Sequence, residues 1–243
     1  MGLYERHGSG LGGGQPTPTP NQGPSAPGHD YCEYVRVSDD DLGRWVPDRP
    51  EELAIVFAKA DFPWWIAGGY AIELAVGHEL RPHSDLDVLV LRRDQALVRD
   101  LLADWDLYVA DPPGQGRLRP WPYGEALRPT LHDIWCRRRP DAPWSVQIML
   151  DEAEGTQWVS RRAPQVRLPI ERIGRTSAAG TPYLAPEVQL FYKAKETRDK
   201  DEIDFEAVLP LLDTPQRTWL ADAIEAIAPD HPWRRRLLPI SRT

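Results

Sequence analysis

Asp85 and Asp87 stand two residues apart at the head of an apolar run, DLDVLVL. Side chains at i and i+2 of a strand point to the same side. Two carboxylates placed this way repel each other unless a cation or a proton lies between them. Upstream, Gly68-Gly69 precede a short helical pattern. A helix start presents unpaired N–H groups and favours anions. A cation site beside an anion site is the chemistry required by a metal-bound nucleoside triphosphate.

The elements that position these residues follow from hydrophobic periodicity and turn signals. Residues 49–61 carry Leu53, Val56, Phe57 and Ala60 at helical spacing, with Pro50 in the first turn. Residues 64–67 form a short apolar strand, Gly68-Gly69 a turn, residues 70–76 a short helix, and Gly77 its C-terminal cap. Residues 85–91 form the strand that carries the aspartates. A helix over 94–105 and a strand over 107–110 follow. The Pro- and Gly-rich stretch 111–129 reads as a long loop, and 131–137 with 144–150 as an antiparallel hairpin. Short strands are expected at 158–162 and 166–170. From Ala185 the pattern turns helical, with Pro186 and Glu187 suited to a first turn and a last helix over 218–227. The fold class is α+β: a mixed β-sheet flanked by helices over residues 48–175, and a helical part over 184–230. Residues 1–30, rich in Gly, Pro, Ser and Thr, read as a disordered leader.

The chain has 243 residues and a formal net charge of -8. An acidic balance disfavours long-range attraction to nucleic acid and suits a cationic small substrate. Two cysteines, Cys32 and Cys136, provide neither a disulfide framework nor a structural zinc site. No apolar run approaches the ~18 residues of a membrane helix. No secretion signal is read at the N-terminus, so the expected location is the cytoplasm.

The segment GGYAIELAVGHELRPHSDLDVLVL resembles the nucleotidyltransferase signature of the DNA polymerase β type. More narrowly it is similar to the small aminoglycoside and lincosamide nucleotidyltransferases, through Gly68, Gly69, Tyr70, Glu73, Gly77, Arg81, His83, Asp85 and Asp87. A weaker resemblance to the C-terminal helices of the lincosamide-type enzymes lies in Glu187, Gln189 to Tyr192, Asp201 and Asp204. The resemblance implies Mg2+-dependent transfer of a nucleoside monophosphate, AMP from ATP, to a hydroxyl of a small molecule such as an aminoglycoside or lincosamide. Asp85 and Asp87 would hold Mg2+, and Gly68 and Gly69 would let the backbone approach the phosphates. The family has a third carboxylate on a neighbouring strand, and Asp133, Asp151 or no residue can take that place here. Gln147 is the uncharged possibility.

Arg81 could reach a triphosphate bidentately. His83 either caps its loop by a hydrogen bond or contacts phosphate. Glu73 reads as a helix-surface acid, and Lys200, Asp201 and Asp204 as surface and inter-helix charges. Lys193 and Lys195 are both candidates for the triphosphate; a helical wheel puts Lys195 inside the apolar arc and Lys193 outside it. Trp64, Trp65, Trp135 and Trp144 read as core strand residues, and Trp121, in the loop, as a candidate for stacking. Two other functions share this pattern. One is a toxin-like nucleotidyltransferase acting on RNA, which would need a basic track. The other is a nucleotide-binding protein of the same fold without turnover.

Overall fold

Apolar alternation dominates the centre of the molecule. In the strands Asp133–Arg137 (β5) and Val146–Glu154 (β6), Ile134, Cys136, Val146, Ile148 and Leu150 are buried, while the intervening residues up to Met149 are half-buried. Side chains of one parity therefore build the core and those of the other line a partly open face. The computed structural model describes residues 42–238; the leader read over residues 1–30 lies outside them.

The preceding elements are α1 (Pro50–Phe57), β1 (Trp64–Ala67), α2 (Gly68–Val76), β2 (Asp87–Leu91), α3 (Gln95–Leu101), β3 (Asp106–Ala110) and β4 (Leu118–Pro120). After β6 come β7 (Gln157–Val159), β8 (Arg167–Pro169), β9 (Gly174–Thr176), β10 (Pro182–Leu184), α4 (Pro186–Lys193), α5 (Asp199–Val208), α6 (Thr214–Glu225) and α7 (Pro232–Leu237). The strands form one mixed sheet in the order β4-β3-β5-β6-β2-β1-β10-β9, with β7 joined to β6 and β8 to β7. β2 runs parallel to β6, and β1 parallel to β10; the other pairings are antiparallel. This is the expected α+β class. No helix among the described residues is long and apolar enough to cross a membrane.

Several local expectations change. Gly68-Gly69 do not form a turn; they are the first two residues of α2. The Gly77 cap holds, with φ of 83° and its N–H donating to the Glu73 carbonyl at 2.8 Å. The stretch 111–129 contains β4, and β9, β10 and α7 have no counterpart in the sequence reading. Trp121 is 2 % exposed and donates its indole N–H to the Glu125 carbonyl at 2.9 Å, so it is a core residue and not a stacking platform.

The core-building face carries Trp64, Ile66, Val88, Val90, Ile148 and Leu150, all buried. Phe57 of α1 packs on Trp64 there, with ring centroids 4.9 Å apart. The opposite face carries Asp87, Gln147 and Trp135 in one cross-strand row, and Leu89, Met149 and Asp133 in the next. α4 covers part of this second face. All eight of its residues are buried, Gln189 reaching the start of α2 and the Tyr192 hydroxyl the Asp151 carboxylate at the end of the sheet row.

Candidate active site

β2 begins at Asp87, and Asp85 lies in the loop just before it. Asp87 is half-buried. Burial, with the neighbouring Asp85 carboxylate, pushes its pKa up to about 7, against the pull of Lys193. Its carboxylate rests against Gly68. A β-carbon on Gly68 would lie 3.2 Å from Asp87 Cγ and closer still to Oδ2, and φ there is +68°, a conformation that favours glycine. Gly69 is constrained in the same way, because a β-carbon would collide with the His83 ring and Arg81 Nη2. The two glycines thus make room for the chain's own side chains. The Gly68 N–H is also engaged, donating to Gln189 Oε1 at 2.8 Å.

A cavity of ≈ 330 Å3 opens between this point and α4. Gly68, Asp87 and Met149 form one wall, Gln189, Tyr192 and Lys193 the other, with Arg162, Lys195 and Arg198 also lining it. It therefore brings together Gly68, Asp87, Lys193 and Lys195 of the expected residues. Gly69, Arg81, His83, Asp85 and Asp133 do not line it.

Arg81 and His83 belong to a ladder of polar and ionic contacts that ties α2 to α4 and α5. Glu73 meets His83 Nε2 at 2.9 Å, and His83 Nδ1 meets Arg81 Nη1 at 3.1 Å. Arg81 grips Asp204 through Nε at 3.3 Å and Nη2 at 3.0 Å. Lys193 Nζ lies 2.8 Å from Asp204 and 3.0 Å from Asp201, and Arg198 closes the ladder on Asp201 at 2.8 Å. Glu73, Asp201 and Asp204 are buried, not surface acids as their positions in the sequence suggest. Glu73 also accepts the Leu80 N–H at 2.7 Å and fixes the loop that leads to Asp85.

The two lysines exchange the places given by the helical wheel. Lys193 is buried and Lys195 exposed. α4 ends at Lys193, so the helical phase does not extend to Lys195, and two aspartates make burial of the Lys193 ammonium tolerable.

The possibilities for a third carboxylate separate clearly. Gln147 pairs in register with Asp87. Asp133 lies one row along, where its Oδ1 accepts from Gln147 Nε2 at 3.3 Å. His132 lies 3.4 Å from Asp133, and burial lowers the pKa of its ring. Asp133 thus has no arginine or lysine partner among the described residues. Asp151 is fully buried, accepts from the Tyr192 hydroxyl and Trp158 Nε1, and does not line the cavity. Among the described residues no three His, Cys, Asp or Glu side chains gather where they could hold a metal ion by themselves. Any cation between Asp85 and Asp87 would complete its shell from the substrate and water.

Arg162, Arg198 and Gln189 are site residues that the sequence reading passed over. Arg162 appears in the sequence only as half of an Arg-Arg pair, and Gln189 only as part of a helix resemblance.

Residues 52–111 match the family described as aminoglycoside-2''-adenylyltransferase. The chain resembles that family over this segment. The matched stretch runs from α1 to the end of β3 and contains both glycines and both aspartates. No curated protein matches. Among solved structures, the lincomycin-bound lincosamide antibiotic adenylyltransferase LnuA is 14% identical with a TM-score of 0.47, over 68% of this chain and 99% of that one. ANT(2'')-Ia in complex with adenylyl-2''-tobramycin is 18% identical with a TM-score of 0.42, over 71% and 93%. An antigenic nucleotidyltransferase-like protein from Paracoccidioides brasiliensis is 18% identical with a TM-score of 0.43, over 83% and 93%.

Proposed function

We propose that this protein transfers a nucleoside monophosphate, AMP from ATP, onto a hydroxyl of a small amine-bearing molecule of the aminoglycoside or lincosamide kind. One observation carries the reading. Asp87, close enough to Asp85 to feel its charge, faces Lys193 at the end of α4 and Lys195 just beyond it across a single cavity. A carboxylate on one wall, facing a side where Arg162, Lys193, Lys195 and Arg198 outnumber Glu196 and Asp201, suits a metal–triphosphate complex.

The donor set fits Mg2+, which takes carboxylate and phosphate oxygens and keeps several waters. Asp85 and Asp87 would hold it, and it would supply charge neutralisation at the phosphate under attack. Lys193 and Lys195 lie on the side where the polyphosphate would rest. Arg81 and His83 serve the site by fixing the loop before Asp85 and by orienting Lys193 through Asp204. Transfer requires the acceptor hydroxyl in line with the leaving pyrophosphate. The acceptor would then approach from the opposite side, over the half-open row Gln147 and Trp135, and Asp133, one row along, would take the hydroxyl proton.

The arginine runs 137–139 and 234–236 argue against an RNA substrate, because, among the described residues, all of their charges but that of Arg235 are paired within the chain. Arg137 pairs with Asp106, Arg138 with Asp48 and Arg139 with Asp141. Arg234 pairs with Glu225, and Arg236 with Glu202 and Glu206. Incubating the protein with each NTP, Mg2+ and separate panels of aminoglycosides, lincosamides and tRNA, and weighing the acceptors afterwards, tests the proposal. A nucleotide added to a small acceptor supports it; product on tRNA alone refutes it.

A further inference from the structure

The cations around the cavity are not equivalent. Lys193 is shared between Asp201 and Asp204, and Arg198 is held by Asp201. Lys195 is 59% exposed in its side chain and 3.9 Å from Glu196. Arg161, next in the chain to Arg162, lies 3.5 Å from Asp151. Arg162 differs from all of these. Among the described residues no carboxylate lies within 4.0 Å of its guanidinium, although the side chain is half-buried.

Arg162 is nevertheless held firmly. It lies in the connection after β7, distant in sequence from both lysines. Its Nη1 donates to the Tyr192 carbonyl near the end of α4, and its guanidinium carbon sits 4.9 Å from the centroid of the Tyr192 ring. A hydrogen bond and a cation–π contact fix the plane of the group. Nε and Nη2 make no protein hydrogen bond among the described residues. Burial lowers the pKa of the guanidinium, so the surroundings penalise its charge until an anion arrives. A planar, oriented and uncompensated guanidinium beside a cavity is suited to phosphate oxygens, which it can grip bidentately.

We infer that Arg162 binds the polyphosphate of the donor nucleotide, an assignment that rests on the nucleotidyl-transfer reading for the identity of the ligand. A base carries no charge for it to meet, and an amine-bearing acceptor would be repelled. The side chain reaches the phosphates from the β7–β8 connection while Lys193 and Lys195 reach them from the end of α4 and the residues just after it, so the polyphosphate is held from two parts of the fold distant in sequence.

Titration calorimetry of the full chain with inorganic tripolyphosphate, ATP and AMP tests this, using Arg162→Ala and the milder Arg162→Lys. Loss of a charge-assisted contact weakens binding by roughly ten- to a hundredfold. That loss is expected for tripolyphosphate and ATP in Arg162→Ala and in smaller measure in Arg162→Lys, which keeps the charge but not the planar fork, with AMP affinity unchanged in both. A merely structural role for Arg162 would weaken AMP and ATP equally, and that result overturns the inference. Unchanged tripolyphosphate affinity in both variants overturns it too, as does a wild-type chain that does not bind tripolyphosphate. Tripolyphosphate binding that depends on Arg162 in a protein without transfer activity keeps the assignment and removes the transfer reading instead.

Discussion

Gly68 and Asp87 fit together as a socket and its occupant. The position that a side chain at 68 would take is filled by the Asp87 carboxylate, with Cγ 3.2 Å from where the β-carbon would stand. The glycine that opens α2 and the aspartate that opens β2 are thus parts of one arrangement, joined further by the register pair Ala67 and Asp87.

Gly68→Ala is expected to lose more than a helical glycine usually does. Its φ of +68° costs an alanine about 1 kcal/mol, and the Asp87 carboxylate must also move. Gly77→Ala is the control. It has a φ of +83° but nothing within 4 Å, so only the backbone term of about 1 kcal/mol applies. Urea unfolding should rank Gly68→Ala below Gly77→Ala, and only the former should lose transfer activity. Equal stability and equal activity in the two would contradict the socket.

Asp87→Asn should separate stability from activity. The wild-type carboxylate is penalised by burial and by Asp85. Replacing it should raise stability at pH 8 by about 1–2 kcal/mol without divalent cations, while abolishing transfer. Added Mg2+ should raise the melting temperature of the wild type but not of the variant. Thermal melts with and without Mg2+ read both effects.

Asp201 sets an acid limit. Burial alone would raise its pKa, but hydrogen bonds from Arg198 and Lys193 bring it down to about 2, below the ordinary 3.8. A carboxyl with a depressed folded pKa contributes stability that is fully present above about 3.8 and is lost as pH falls toward 2. The size of that contribution is about 2 kcal/mol. Asp201→Asn should therefore be less stable than wild type at pH 7 by at least this amount. The gap should narrow as pH falls from 4 to 2. Denaturant unfolding across this window checks the sign; a gap that widens in acid would contradict it.

Asp133→Asn should lower kcat by roughly 10²–10⁴, the usual contribution of a general base, and leave ATP affinity in place. Steady-state kinetics at saturating ATP measures the loss. An unchanged kcat would remove Asp133 from the proton transfer.

The local core of the site was legible in the sequence, because strand alternation and glycine chemistry act over a few residues. Strand 64–67, the Gly77 cap and the β5–β6 hairpin follow from such signals. What was hidden depends on contacts distant in sequence. Glu73, Asp201 and Asp204 look like surface acids because each is acidic and lies in a helix. They are buried because His83, Arg81 and Lys193 converge on them from other elements, while Arg198 adds a local contact to Asp201 at the start of α5. The Lys193–Lys195 exchange has a simpler origin, since a helical wheel assumes a helix that in fact stops at Lys193. β9 and β10 are three residues each, too short for a periodic signal; β10 is held by pairing to β1, and β9 by pairing to β10.

The most direct test of nucleotidyl transfer is the mass of the acceptor after incubation with ATP and Mg2+, for the wild type and Asp87→Asn in parallel. The account predicts one nucleoside monophosphate added to an amine-bearing small molecule, one pyrophosphate released for each, and neither product with the variant. Transfer by Asp87→Asn at the wild-type rate would contradict it.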